Sequence, residues 1–207
     1  QISREIGKFL MNGGLYKGAK PVLWSVVEKT ALADAEVEYH DHKSTTIHVR
    51  FPVVQTDQPL LEGGVIVIWT TTPWTITVNR AVAYGEDFDY GIYQVDEVED
   101  DSTALVGEKI VIGVSLAEVV QKAAKITEMR QIGSIKGSDF SGTTLSHPLK
   151  EVGFDFNVPM LPADFVTLEQ GSGFVHIAPG AGSDDFELGL EYGLSLIHIS
   201  EPTRLNP

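Results

Sequence analysis

The chain has 207 residues, 43% of them hydrophobic and 21% charged, which suits one ordinary domain with short flanks and does not suit a disordered chain. It contains no cysteine, so disulfides and thiolate chemistry are excluded; no apolar run approaches the roughly 20 residues of a membrane span, and the opening QISREIGKFL is not built like a secretory leader, so a cytoplasmic, membrane-free setting is expected. Fifteen Lys+Arg against 29 Asp+Glu argue against a stand-alone nucleic-acid binder and against DNA as a partner, because phosphate contacts are made by basic groups.

Taken in chain order, Ile2, Ile6, Phe9 and Leu10 share one face of a helix that Gly13-Gly14 stops. Ser25-Val-Val-Glu28 has capping-box spacing and predicts a short helix through Ala31 to Ala35. Thr46 to Phe51 alternates as a half-buried strand, and Val65 to Trp69, apolar on both faces, reads as a central strand. Tyr90 to Val95 and Lys109 to Val114 are strands flanking an acidic turn at Asp96 to Ser102. Ser115-Leu-Ala-Glu118 is a second capping box opening a helix to Ala124. Gly133 to Ser146 suggests short β pieces, Val158 to Leu168 two strands and Gly173 to Ile177 another. Asp184 to Tyr192 reads as a helix ended by Gly193. The expected fold is mixed α/β and β-rich, a closed or nearly closed barrel with a few short helices. Three parts are expected: a flank at 1–38, the main domain at 39–194, and an atypical tail at 195–207, SLIHISEPTRLNP, read as unstructured or foreign sequence.

Two stretches carry chemistry. WTTTPWTITVN, Trp69 to Asn79, crowds five threonines around a proline and two tryptophans at a strand end. Buried hydroxyls need partners, so these either line a small polar pocket for a hydroxyl-rich ligand or bond to their own backbone. In GSGFVHIAPGAGSDDFELG, Gly171 to Gly189, a strand carries His176, a glycine-rich turn follows, and Asp184-Asp185 opens a helix. One carboxylate suffices for a cap, which leaves the other for a cation such as an ammonium. Gly171-Ser-Gly173 does not complete a dinucleotide fingerprint, since His176 stands at the third glycine. Tyr39-His-Asp-His42 with His48 lacks a matching ligand cluster and reads as a solvated face, so no metal is expected. Without a serine elbow or cysteine, water is the expected nucleophile of any hydrolysis.

Trp69-Thr-Thr-Thr-Pro-Trp-Thr75 with Asn79-Arg80-Ala81, and Gly173-Phe-Val-His-Ile-Ala-Pro-Gly180 with Asp184-Asp185, resemble the two motifs of the editing domain of class I aminoacyl-tRNA synthetases. Leu15-Tyr-Lys-Gly18, Pro21-Val-Leu-Trp-Ser25 and Lys29 to Tyr39 are most similar to the isoleucine branch, with the valine and leucine branches as neighbours. The resemblance implies a barrel-like domain that hydrolyses valine wrongly esterified to isoleucine tRNA. A pocket that accepts isoleucine cannot strongly exclude a side chain one methylene smaller, a problem for which these synthetases are themselves the standard illustration. It implies roles as well. Thr70, Thr71 and Thr72 would hold the terminal adenosine, the ester and the attacking water, and Asp185 the substrate ammonium. Thr75 and His176 would limit side-chain size, Asn79 would support the site, and Trp74 and Asp184 would complete the substrate contacts. The implied partners are the 3′ end of isoleucine tRNA carrying valine and the catalytic domain of a parent synthetase. ATP and magnesium belong to that parent domain, whose HIGH and KMSKS signatures are absent here, so the chain is not expected to ligate and editing is expected to need no cofactor.

The sequence departs from the family pattern at Ile76-Thr-Val78, where Leu-Pro-Ala is common, and at Gly180-Ala-Gly182, where Gly-His-Gly is. The alternative reading is a module that grips a tRNA end or an amino acid without turnover, or an editing domain of the valine or leucine branch.

Overall fold

The structure, a computed structural model, describes residues 1–194, so the tail expected at 195–207 lies outside the described residues. The chain divides into two compact units, Gln1–Glu38 and a second that begins at Tyr39. In the first, helix α1 (Ile2–Met11) forms as its spacing predicts, and Gly13 follows with φ +78°. Its apolar face is exposed, and no residue of 1–38 is buried. The helix predicted after Ser25 is absent. Strands β1 (Trp24–Ser25) and β2 (Thr30–Ala31) instead pair as a hairpin. One capping-box bond is made, the Glu28 amide donating to Ser25 Oγ at 3.2 Å, but the Glu28 carboxylate accepts from the Ser25 hydroxyl instead of the Ser25 amide, and the pair closes a turn. Nothing buried selects the helix.

The second unit is built on one sheet of nine strands: β3 (Ile47–Gln55), β4 (Gly64–Thr70), β5 (Ala81–Tyr84), β6 (Asp89–Val98), β7 (Lys109–Gly113), β8 (Ile126–Lys136), β9 (Thr144–Ser146), β10 (Asn157–Pro162) and β11 (Phe174–Ile177). Their order is β11-β5-β10-β9-β3-β4-β7-β6-β8, and only the β5–β10 and β4–β7 pairs are parallel. The short β pieces expected from Gly133 to Ser146 are the end of β8 and β9, but β8 runs for 11 residues and starts at Ile126, in a stretch not read as a strand. It lies at the sheet edge, mostly exposed, and its pairing with β6 is interrupted by register shifts, so it carries no clean apolar alternation. Only one strand forms between Val158 and Leu168, because the chain after β10 turns into a loop. Helix α2 (Ala117–Ala123) follows a 3-10 turn and has no side-chain cap, so the second capping box is not made. Helix α3 (Ser183–Glu191) forms as expected, with Gly193 at φ +66° beyond it.

The sheet curls around its main core without closing. Its two end strands, β11 and β8, share no ladder among the described residues, so the ring of hydrogen bonds expected of a closed barrel is not formed. The curl is seen in the aromatic core. Tyr90 of β6 stacks on Phe174 of β11 at 4.5 Å, with Phe140 edge-on to both. The Tyr90 hydroxyl donates to Gly173 O at 2.9 Å and accepts from the Gly85 amide at 3.0 Å. Strand β4 explains its own composition. Ile66 and Ile68 enter this core, while Val67 on the opposite face packs with Ile110, Ile112 and Val120 of α2. A third cluster joins Ala81, Ala83 and Ile177 to Leu188 of α3. Each large apolar side chain so buried contributes roughly 1.5–3 kcal/mol. No helix among the described residues is long and apolar enough to cross a membrane.

Candidate functional site

Strand β4 ends at Thr70, and Pro73 starts a 3-10 helix, Pro73–Val78. In such a helix residues three apart share a face. Thr72 and Thr75 therefore point one way, with the Thr75 amide bonded to Thr72 O at 3.0 Å, while Trp74 and Thr77 point out to solvent. Trp74 is 70% exposed and does not line the cavity described below, which corrects its expected place against the ligand.

The hydroxyls on the inner face form a chain: Thr70 Oγ1 to Thr72 Oγ1 at 3.2 Å, Thr72 Oγ1 to Thr75 Oγ1 at 3.2 Å, and Thr75 Oγ1 to His176 Nε2 at 3.0 Å. Proton counting fixes its direction. A carbonyl only accepts, so the 2.8 Å contact between Thr75 Oγ1 and Thr72 O uses the Thr75 proton. His176 Nε2 must then carry hydrogen and donate to Thr75. Thr72 donates to Thr75 and Thr70 donates to Thr72, while Thr70 also accepts from the Thr72 amide at 3.1 Å. The protons of these three hydroxyls are spent internally, both lone pairs of Thr75 are taken by His176 and Thr72, and what Thr70 and Thr72 have left to offer a ligand is one lone pair each. Thr75 and Thr77 bond to local backbone, and Thr70, Thr71, Thr72 and Thr75 still line a cavity.

The opposite wall is β11 and the turn before it. Gly171 and Gly173 have φ +82° and +86°, and a Cβ on either would press on the Trp69 ring or the Gly113 backbone. These glycines, dismissed as a phosphate motif, serve close approach. His176 is 8% exposed, and burial pushes its imidazole down to about 4, so the ring is neutral near pH 7. Its Nδ1 is buried without a hydrogen-bond partner and its Nε2 is committed to Thr75. His176 therefore presents carbon to the cavity.

Helix α3 supplies the carboxylate. Asp185 Oδ2 accepts from the Ala178 amide at 2.7 Å, which ties the helix start to the end of β11. Burial holds its carboxyl above the usual aspartate range, against the opposing pull of that amide, and the like charge of Asp184 adds to the rise. Asp185 forms no ion pair among the described residues. It is half-buried, with no counter-charge among the described residues. Asp184, one residue earlier, turns away to a separate acidic cleft lined by Glu86, Asp164 and Glu187. That corrects its expected contact with substrate, since adjacent helical residues do not share a face.

Thr70, Thr71, Thr72, Thr75, His176 and Asp185 line one cavity of about 350 Å³, with Trp69, Phe165, Thr167, Gln170, Ala181 and Gly182 completing its walls. A volume at the low end of small-molecule sites fits a small polar group with an aliphatic part. Asn79 is fully buried behind it, with Nδ2 donating to Ala81 O at 2.8 Å and its amide donating to Ile76 O. It fastens the end of the threonine turn, so Ile76-Thr-Val78 in place of Leu-Pro-Ala does not loosen this position. The loop from Phe165 to Gln170 was expected in large part as a second strand ending at Leu168, and its place on the cavity wall carries no motif. Among the described residues no group of histidine and acidic side chains could hold a metal ion.

The curled, mostly antiparallel sheet has the fold of solved leucyl-tRNA synthetase editing domains. The solved structure of GlLeuRS-CP1 matches with a TM-score of 0.56, covering 76% of this chain and 64% of that one at 18% identity. The Plasmodium knowlesi (P. knowlesi) cytosolic leucyl-tRNA synthetase editing domain matches at 0.54, covering 77% and 68% at 8% identity, and likeness at such identities speaks for the fold alone. The chain belongs to the class I tRNA synthetases of the I, L, M and V group, whose family model matches residues 1–181. Similar relatives are the isoleucine–tRNA ligases of Pelagibacter ubique, 53% identical over 95% of this chain, and of Gluconobacter oxydans, 47% identical over 95%. The chain spans about a fifth of the length of each, 21%.

Proposed function

We propose that this domain hydrolyses the ester between a small aliphatic amino acid and the terminal ribose of a tRNA, with valine on isoleucine tRNA as substrate, inside a longer cytoplasmic isoleucine–tRNA ligase. The observation that carries the reading is the convergence, on one small cavity, of hydroxyl oxygens with free lone pairs and a carboxylate with no counter-ion among the described residues. The carboxylate of Asp185 would take the substrate's α-ammonium, which relieves the cost of its burial. The Thr72 and Thr70 lone pairs would accept from the attacking water and from a ribose hydroxyl. Water oxygen bonds to the ester carbon, the bond to the ribose oxygen breaks, and that oxygen takes up the proton the water gives up, giving free valine and uncharged tRNA. The only co-reactant is water, and the catalytic contribution is positioning and electrostatic. The carbon face of His176 and the methyl groups of the threonines would bound the side-chain end.

The test is deacylation of Val-tRNA(Ile) and Ile-tRNA(Ile) by the chain and by Asp185→Ala. Cleavage of the valyl ester in preference to the isoleucyl one, lost in the variant, is expected. Binding of a non-hydrolysable valyl-adenosine analogue with no cleavage of either ester would favour the non-catalytic alternative. The acidic balance fits a domain that holds only a single-stranded end while other parts of a synthetase hold the tRNA body, so weak tRNA affinity is expected of this chain alone.

A further inference from the structure

His147 follows β9 and lies outside the cavity, 2% exposed, in a box of aromatic rings: Phe154 stacked at 5.0 Å, Phe156 at 5.1 Å and Phe51 edge-on at 6.2 Å. A leucine or phenylalanine would fill such a box. What an apolar residue would lack is the pair of bonds the imidazole makes at opposite edges. Nδ1 takes the Leu149 amide at 3.1 Å, and Nε2 meets Ile76 O at 2.9 Å, across 71 residues of sequence. An amide only donates and a carbonyl only accepts, so both bonds exist together in a single state: neutral imidazole with its proton on Nε2.

Ile76 is the residue after Thr75, and its carbonyl also receives the Asn79 amide that ends the threonine turn. The turn is thus gripped at two places. Asn79 and the Arg80 amide, which donates to Ile177 O at 2.8 Å, fix its exit to β11, and His147 fixes its middle from behind. We propose that His147 is a positioning residue for the cavity, and that its Nε2–H bond to Ile76 O sets the placement of Thr72 and Thr75 against Asp185. The inference rests on the hydrolytic reading only for its rate measurement.

Two variants of equal polarity separate the two bonds. In His147→Asn the side-chain carbonyl reaches the Leu149 amide but no donor reaches Ile76. In His147→Gln the amide nitrogen reaches Ile76 O and the Leu149 bond is lost. Each forfeits one hydrogen bond, so a purely structural role predicts equal effects. The expected result for deacylation of Val-tRNA(Ile) by the full chain is a kcat at least tenfold lower in the Asn variant with KM within twofold. The Gln variant should stay within about threefold of wild type in both. Hydrogen exchange at the Thr75 and Asn79 amides should be at least tenfold faster in the Asn variant than in the Gln variant. Equal kcat and equal exchange in the two variants overturn the proposal, as does a loss that falls on KM alone. If the wild type cleaves no ester, the proposed hydrolysis fails, and the exchange comparison alone still decides the role of His147. If either variant fails to fold, the 15N signature of the wild-type imidazole decides: hydrogen on Nδ1 overturns the assignment and hydrogen on Nε2 upholds it.

Discussion

Replacing Asp185 with asparagine separates its two roles, helix tie and cation holder. The side-chain oxygen that accepts from Ala178 is retained, so the link between α3 and β11 should persist. The charge is lost. A charge-assisted bond to an ammonium is worth about 1.5–3 kcal/mol, which corresponds to a loss of roughly 10- to 150-fold in kcat/KM for Val-tRNA(Ile). Stability should respond differently. The folded carboxyl titrates above the ordinary aspartate value, so the folded state holds the proton more tightly than the unfolded chain does, and the wild type loses stability as pH rises through that window. Above the window the full burial penalty is present, and asparagine removes it. Against this stands the favourable field of a negative charge in the first turn of α3, about 0.3–1 kcal/mol. The two oppose, so Tm at pH 7.5 should stay within about 3 °C of wild type, with kcat/KM down by the factor above. Deacylation kinetics and thermal melts on the same preparation measure both. A variant that melts many degrees lower would show that the carboxylate serves mainly as a cap. One that cleaves at the wild-type rate would remove it from substrate binding.

Thr75→Val keeps the shape of the side chain and removes its hydroxyl, leaving the His176 Nε2–H and the Thr72 carbonyl without their shared partner; a loss of about 1–3 kcal/mol in urea unfolding and a fall in deacylation rate are expected. Tyr90→Phe strips the Gly85 amide and the Gly173 carbonyl of their common hydroxyl in a fully buried place, and a loss of about 2–4 kcal/mol should appear as a shifted denaturation midpoint with an unchanged m-value. Because the folded His176 titrates at about 4 against 6.5, the unfolded chain binds its proton first and stability falls as pH drops through that interval. His176→Gln should flatten that part of a Tm–pH curve, and a curve identical to wild type would contradict the burial argument.

Much of the site was legible because its residues carry local signals. A run apolar on both faces marked β4, and Pro73 marked its end. The surplus carboxylate at the start of α3 was readable as a cation holder, although which of the two aspartates faces inward depends on how α3 lies against β11. Trp74 could not be placed without knowing that a 3-10 helix follows Thr72, since an extended continuation would have turned it inward. The hairpin at Ser25 and the long edge strand β8 were missed for opposite reasons. The hairpin makes one hydrogen bond of a helix cap without the helix, and β8 is a strand whose exposed face leaves no hydrophobic record. The loop lining the cavity from Phe165 to Gln170 has no periodic signal, because it is shaped by what it covers. His147 belongs to no motif read in the sequence, and its two partners distinguish it.

The cavity itself follows from one pairing. Strand β5 leaves the threonine turn through Asn79 and Arg80 and pairs antiparallel with β11 in the register Ala81 to Ile177 and Val82 to His176. That register brings the chain bearing Thr75 alongside the strand bearing His176, 101 residues away, and makes their contact a consequence of backbone bonding. Side chains alternate along β11, so Phe174 and His176 face the main core and the cavity while Val175 and Ile177 join the cluster under α3. The last of these also places α3, because Leu188 packs on Ile177 and Asp185 reaches the amide of the next residue, Ala178. A slip of one residue would put valine and isoleucine where His176 now closes the hydroxyl chain, and would turn a histidine into the apolar cluster beneath the helix. The apolar residues on the far face of β11 thereby hold its register. The position of the Asp185 carboxylate is thus secured by the packing of Leu188 and Ile177 together with its own bond to the Ala178 amide.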